Sequence, residues 1–176
     1  MKKLLMATII GLVCLMCLSA GGRGESPRYE HKDPAFTFEY PSGYKAEPFQ
    51  AATEVARLAA DNVYKVPVLV AHVTGKEKNF NPADIPQNFA ARMKKTTPGV
   101  SGFELLEQKD VKLTNGNNAW LVRMKWKWID GITSIDTVLI TALKEDKVIT
   151  LTGTAFTDQN LMDEILKWCM TLNLAS

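Results

Sequence analysis

Few residues in this chain are equipped for chemistry, and their spacing decides how far each can be read. There are two histidines, His31 and His72, and three cysteines, Cys14, Cys17 and Cys169. A catalytic or structural metal site needs several His, Cys or carboxylate ligands converging on one point. His31 stands in a polar stretch, His72 alternates with Val68 and Val70, and Cys169 follows Trp168 in an apolar helical stripe. No metal ligand set is assigned. His72 reads as a partly buried, hydrogen-bonded strand residue and Cys169 as core. A hydrolase would instead require His72 or Cys169 exposed in a cleft with a base or orienting group beside it.

The glycine-rich run Gly21-Gly22-Arg23-Gly24 is not followed by the strand-to-helix turn and lysine of a phosphate loop. Carboxylates such as Glu104, Glu107, Asp163 and Glu164 are scattered, and acid–base catalysis needs them convergent. No catalytic residue and no cofactor is therefore assigned, and the expected protein is not an enzyme. One cationic pattern remains: Arg123, Lys125 and Lys127 recur at period two. That stripe would suit anionic lipid headgroups or an acidic partner. Its plainer reading is long stems lying on apolar surface with their charges in water.

Those residues must be delivered to a compartment and held by a fold. Met1-Lys2-Lys3 is followed by an apolar stretch from Leu4 to Leu18, then by Ser19, Ala20, Gly21 and Gly22. Charged start, apolar middle and small-residue end make a secretory signal peptide over 1–22. About fifteen apolar residues fall short of the roughly twenty that span a bilayer. An uncleaved anchor and a lipid on Cys17 are the rival outcomes; Met16 before Cys17 suits lipidation poorly. Membrane attachment would follow from either. The chain counts 21 basic and 19 acidic residues, and removing Lys2 and Lys3 leaves 19 against 19. A nucleic-acid partner is not expected from a chain without basic excess. Cys169 alone remains after cleavage, so no internal disulfide can form.

Residues 23–33 read as a flexible linker, and 34–176 as one domain. Phe36, Phe38 and Tyr40 alternate as a strand ended by Pro41-Ser42-Gly43, and Tyr44 to Phe49 suggests a second. Thr53 to Ala60 fits helix or strand. Val66 to Val73 is β-branched and strand-like. A helix follows Asp84, with Ile85, Phe89 and Met93 on one face and Pro98-Gly99 as its stop. Four strands then run over 103–113, 119–129, 132–143 and 148–156, with Asp130-Gly131 as a two-residue hairpin turn. Trp120, Val122, Met124, Trp126 and Trp128 share the face opposite the cationic stripe. A last helix from Thr157 or Asp158 carries Leu161, Ile165, Trp168, Cys169 and Leu172 on its apolar side.

The ordered set formed by Phe36-Thr37-Phe38-Glu39-Tyr40-Pro41-Ser42-Gly43-Tyr44, the segment 84–96, the meander 103–156 and the closing helix with Leu172-Asn173-Leu174 resembles the PsbP-like superfamily. The resemblance implies an α+β fold, an α/β/α sandwich around a central antiparallel sheet, with 53–60 as strand. It also implies a binding or assembly role in place of catalysis. The expected protein is thus an exported, periplasmic module of the cell envelope with a protein partner. The alternative is a carrier of a small apolar ligand, which an oversized, Trp-lined cavity would favour. Export carries its own test: N-terminal sequencing of envelope material should find a mature start between Gly21 and Gly24, and an intact Met1 would defeat cleavage.

Overall fold

The computed structural model describes residues 26–174; the signal segment, Cys14 and Cys17 lie outside them. Among the described residues no helix is long and apolar enough to cross a membrane. The first element is a hairpin, β1 (Arg28–Lys32) against β2 (Ala35–Glu39). Seven further strands follow: β3 (Tyr44–Ala46), β4 (Glu54–Ala60), β5 (Val68–Gly75), β6 (Ser101–Lys112), β7 (Asn118–Lys127), β8 (Ser134–Lys144) and β9 (Lys147–Phe156). They form one antiparallel sheet in the order β3-β4-β5-β9-β8-β7-β6. Helix α1 (Ile85–Thr96) joins β5 to β6, and α2 (Met162–Met170) follows β9. The architecture is α+β with a large antiparallel sheet and two helices, as expected.

Strand alternation sorts the side chains into two cores. On one face Ala56, Leu58, Leu69, Ala71, Leu121, Val138, Ile140, Ile149 and Leu151 pack beneath α2 and the β1–β2 hairpin. Phe36 and Phe38 are fully buried there, with Ile165, Cys169 and Leu172 from the closing segment. Gly153 sets the fit between layers. A Cβ at that position would stand 2.1 Å from Ile165 Cγ2 and 3.2 Å from Cys169 Sγ, so only glycine lets α2 lie so near β9. The other face carries a smaller core in which Ile85 and Phe89 of α1 meet Val122, Met124, Trp126, Ile135 and Leu139. Trp126 donates its indole N–H to Thr137 Oγ1 at 2.9 Å, satisfying a polar atom that burial would otherwise orphan.

Several expectations are corrected. Residues 28–32, assigned to a flexible linker, form β1 and pair fully with β2. The strand expected over 44–49 stops at Ala46. The two-residue turn at Asp130-Gly131 is a longer loop, 128–133. There the Asp130 carboxylate accepts from the Ile132 and Thr133 amides and from the Thr133 hydroxyl. Trp128 lies past the end of β7, 38 % exposed, its ring centre 6.0 Å from that of Trp126. The closing helix begins at Met162, after a short 3₁₀ turn over Thr157–Gln159.

Packing of this kind has measurable consequences. Trp126→Ala should cost about 3–5 kcal/mol in denaturant melts, as buried aromatic truncations do. Lys125→Ala, on the opposite side of the same strand, should cost under about 0.5 kcal/mol. Gly153→Ala forces a methyl into Ile165 and should cost at least the ~1–3 kcal/mol of an overpacked core. A neutral Gly153→Ala would mean that α2 does not approach β9 as described.

Candidate functional site

Helix α1 covers only the β7 side of its face, and the uncovered remainder is a groove. The groove encloses about 1120 Å³ between α1 and the exposed parts of β4, β5, β9 and β8. Its floor follows from register. Arg57, Val70, Thr152 and Leu139 form one row across the sheet, because each is the ladder partner of the next. Glu54, His72, Thr150 and Thr141 form the row to one side; Ala59, Val68, Thr154 and Thr137 the row to the other. Phe156 and Ile135 lie beyond. The helix wall carries Phe89, Arg92, Met93 and Thr96.

The electrostatics divide the groove. Glu54, 6 % exposed, accepts from Arg57 Nε at 2.9 Å, Arg57 Nη2 at 2.7 Å and the Gln50 amide at 2.9 Å. Burial pushes its carboxyl up, but the Arg57 fork and the Gln50 amide outweigh that and hold it below the usual range. His72 is buried, with Nδ1 3.1 Å from Thr53 Oγ1. Burial, reinforced by the nearby Arg92 charge, lowers its pKa to about 4, so the ring is neutral at pH 7. Arg92 is half-buried, its guanidinium carbon 5.6 Å from the centre of the Phe89 ring. Burial lowers its pKa as well, with Glu54 pulling the other way. No carboxylate lies within ion-pair distance of Arg92 among the described residues. Thr152, 5 % exposed on the floor, has a buried hydroxyl without a hydrogen-bond partner.

The groove is partly open to solvent, and one end is framed by apolar hairpin tips. Tyr64 from the β4–β5 connection and Ile132 from the β7–β8 connection line that mouth, with Trp128 beside them. Tyr64 meets Phe156 edge-on at 5.9 Å. Val63, Tyr64 and Ile132 are 93 %, 74 % and 83 % exposed.

The residues singled out from sequence are dispersed. Cys169 is fully buried in the α2 core, and burial raises its thiol pKa far above the ordinary value. His72 belongs to the groove face, so the sheet separates the two and no thiol–imidazole pair forms between them. His31 sits on the β1–β2 hairpin against Phe36, with Nδ1 3.0 Å from the Pro34 carbonyl. Arg123, Lys125 and Lys127 do share one side of β7, the side away from the groove. Arg123 is held there 3.5 Å from Asp163 and 4.0 Å from Glu107. Among the described residues no group of three or more His, Cys, Asp or Glu side chains is placed to hold a metal ion.

Sequence reasoning missed Glu54, Arg57, Arg92 and Thr152. A signal for two of them exists. Thr150, Thr152 and Thr154 alternate with Ile149 and Leu151, which marks a strand face that no helix fully covers. Arg92 adjoins the Phe89–Met93 stripe, a cation at the edge of an apolar helix face.

No family model matches this sequence, and no curated protein does. Solved structures do match. The cyanobacterial PsbP protein, CyanoP, from Synechocystis is 14 % identical with a TM-score of 0.67, over 89 % of this chain and 98 % of that one. The Saccharomyces cerevisiae Ran-binding protein Mog1p is 9 % identical with a TM-score of 0.61, over 85 % and 95 %. LpqN of Mycobacterium tuberculosis, involved in cell envelope biogenesis, is 16 % identical with a TM-score of 0.57, over 86 % and 91 %. These likenesses define a class: a single antiparallel sheet with helices on both faces. The chain has the PsbP-like fold.

The buried imidazole makes a pH prediction. Its folded pKa, about 4, lies below the ordinary 6.5, so between those values the unfolded chain binds the proton more readily. Stability contributed by neutral His72 is therefore complete above pH 6.5 and is lost as pH falls toward 4, with a slope reaching about 1.4 kcal/mol per pH unit. Glu54 contributes mainly from its unfolded value of 4.5 downward, at the acid end of that window, because its carboxyl is held low. Urea melts from pH 7 to pH 4.5 should show the slope in the native protein and a shallower one in His72→Gln. Equal slopes would place His72 in water.

Proposed function

We propose that this protein is an exported, non-catalytic binding module of the cell envelope, and that the groove beside α1 is its binding surface. The observation that carries the reading is the groove itself. It is as large as small-molecule sites usually become, and the surface it exposes is more apolar than polar, with a few placed polar groups. A buried neutral imidazole and a carboxylate locked to an arginine are structural groups more than reactive ones. The named activities of the structural neighbours agree in kind: Mog1p binds Ran, and LpqN is involved in cell envelope biogenesis. Export rests on the Lys-Lys start and apolar run of the first 22 residues.

Two occupants suit such a surface, a segment of an envelope protein and a small apolar molecule. Trp126 and Trp128 both line the groove, and that lining favours the carrier reading. The test fills the groove without touching the opposite core. Val68→Trp, at a half-buried position on the floor, should leave the protein folded and exported yet lose whatever co-purifies with the tagged native protein from its envelope fraction. Replacing Arg123 and Lys125 by Gln should leave that recovery intact. Loss with the second variant and retention with the first would move the binding surface to the α2 side.

A further inference from the structure

Among the cations lining the groove, Arg92 alone has no ion-pair partner, and it defines what the groove takes. This inference rests on the groove being the binding surface. Arg57 is neutralised by Glu54 at 2.7 Å, and His72 carries no charge at pH 7. Lys65, at the rim, is engaged by Glu47 at 3.1 Å and Asp61 at 3.6 Å. Asp130 and Asp158 belong to the hairpin-tip end, where Asp130 is occupied by its own loop. Arg92 is left as a half-buried cation with no carboxylate in reach, set near His72 and Glu54, whose charges it feels. A half-buried guanidinium is a planar, always-charged fork shaped for a bidentate carboxylate. Thr152 is the second, independent sign: a residue lining the same floor, 5 % exposed, whose buried hydroxyl has no partner. Buried hydroxyls without partners are uncommon because each forfeits a hydrogen bond it had in water.

From that pair the floor runs toward the hairpin tips past Thr154, whose hydroxyl is paired with Thr137 at 3.3 Å, and reaches Thr157. Thr152 to Phe156 is four residues along β9, a run of about 13 Å at strand rise. Val70, Val68, Ile135 and Phe156 pave it, and Trp128 and Tyr64 stand at its end. Beyond them Val63 and Ile132 are open to solvent. We infer that the groove holds a single-chain amphiphile with one carboxylate, its head on Arg92 and the Thr152 hydroxyl and its tail over Val70, Val68, Ile135 and Phe156 toward the hairpin tips. One unpaired cation at the head end matches a monoanion. A phosphate monoester would bring a second negative charge that nothing in the groove balances, beside the Glu54 carboxylate.

The full chain, purified from the compartment where it accumulates and stripped of bound lipid, is titrated with decanoate, 1-decanol and decyl phosphate, with tryptophan fluorescence as readout. Decanoate should bind at least about tenfold more tightly than decanol, the worth of a charge-assisted hydrogen bond. Arg92→Gln should erase that preference while decanol binding persists. Thr152→Val, which keeps the shape of the side chain, should weaken decanoate several-fold and leave decanol unchanged. Equal affinity for acid and alcohol, a preference that survives Arg92→Gln, or tighter binding of decyl phosphate would each overturn the assignment. Failure of every probe overturns it too. In that case Val68→Trp separates the two readings: loss of the co-purifying partner keeps the groove as a binding surface for something else, and a neutral Val68→Trp removes both.

Discussion

The approach of α2 to β9 at Gly153 is the contact on which the remaining layers depend. Because that residue lacks a Cβ, Ile165 and Cys169 settle directly on the backbone of a central strand. The helix so placed closes one face of the sheet together with the β1–β2 hairpin, and the larger core lies beneath them. With one helix committed there, a single twelve-residue helix remains for the opposite face of a seven-stranded sheet. A helix is about 10 Å wide and strands lie about 4.8 Å apart, so it shields roughly two strands. The groove is the geometric remainder of that shortage.

An uncovered sheet face need not be inert, and this one is finished with polar groups that satisfy each other without filling the space. Thr137 and Thr154 lie 3.3 Å apart, Thr141 and Thr150 3.2 Å, each pair bridging β8 and β9. Cross-strand threonine pairs stabilise a sheet from a solvated side. Thr152 breaks the series, since its ladder neighbours are Val70 and Leu139 and neither can take its hydrogen bond. The Glu54–Arg57 pair serves another purpose, tying the start of β4 to the Gln50 amide beside a β-bulge. Its charges cancel locally, which leaves Arg92 as the unpaired cation beside it.

Legibility in the sequence followed from how local each cause is. The alternation of Leu121, Arg123, Lys125 with Val122, Met124, Trp126 assigns β7 and both its faces, because a strand's period is written in consecutive residues. The α1 stripe and the order of the β6–β9 meander were readable for the same reason. β1 was not: Arg-Tyr-Glu-His-Lys carries one apolar residue, and its pairing is made by backbone groups that any side chain permits. The β7–β8 loop misled because Asp-Gly commonly makes a two-residue turn, whereas here the Asp130 carboxylate organises a wider one. The groove was illegible for a different reason. Glu54, His72, Arg92 and Thr152 come from four elements spread over a hundred residues, and only the strand order brings them together.

The first hairpin and the closing segment are stitched to each other. Thr37 and Asn173 exchange backbone hydrogen bonds of 2.8 Å in both directions, and the Glu39 amide donates to Thr171 Oγ1 at 2.8 Å. Phe36 and Phe38 are thus covered by residues synthesised much later, in the closing segment. Synthesis and closure run in opposite order. A nascent chain not yet extended through Asn173 has an open core and no lid for its first hairpin, so it cannot complete this tertiary structure until that segment has emerged. Until then it stays loose, the condition in which a polypeptide can still be threaded, held by a chaperone or degraded.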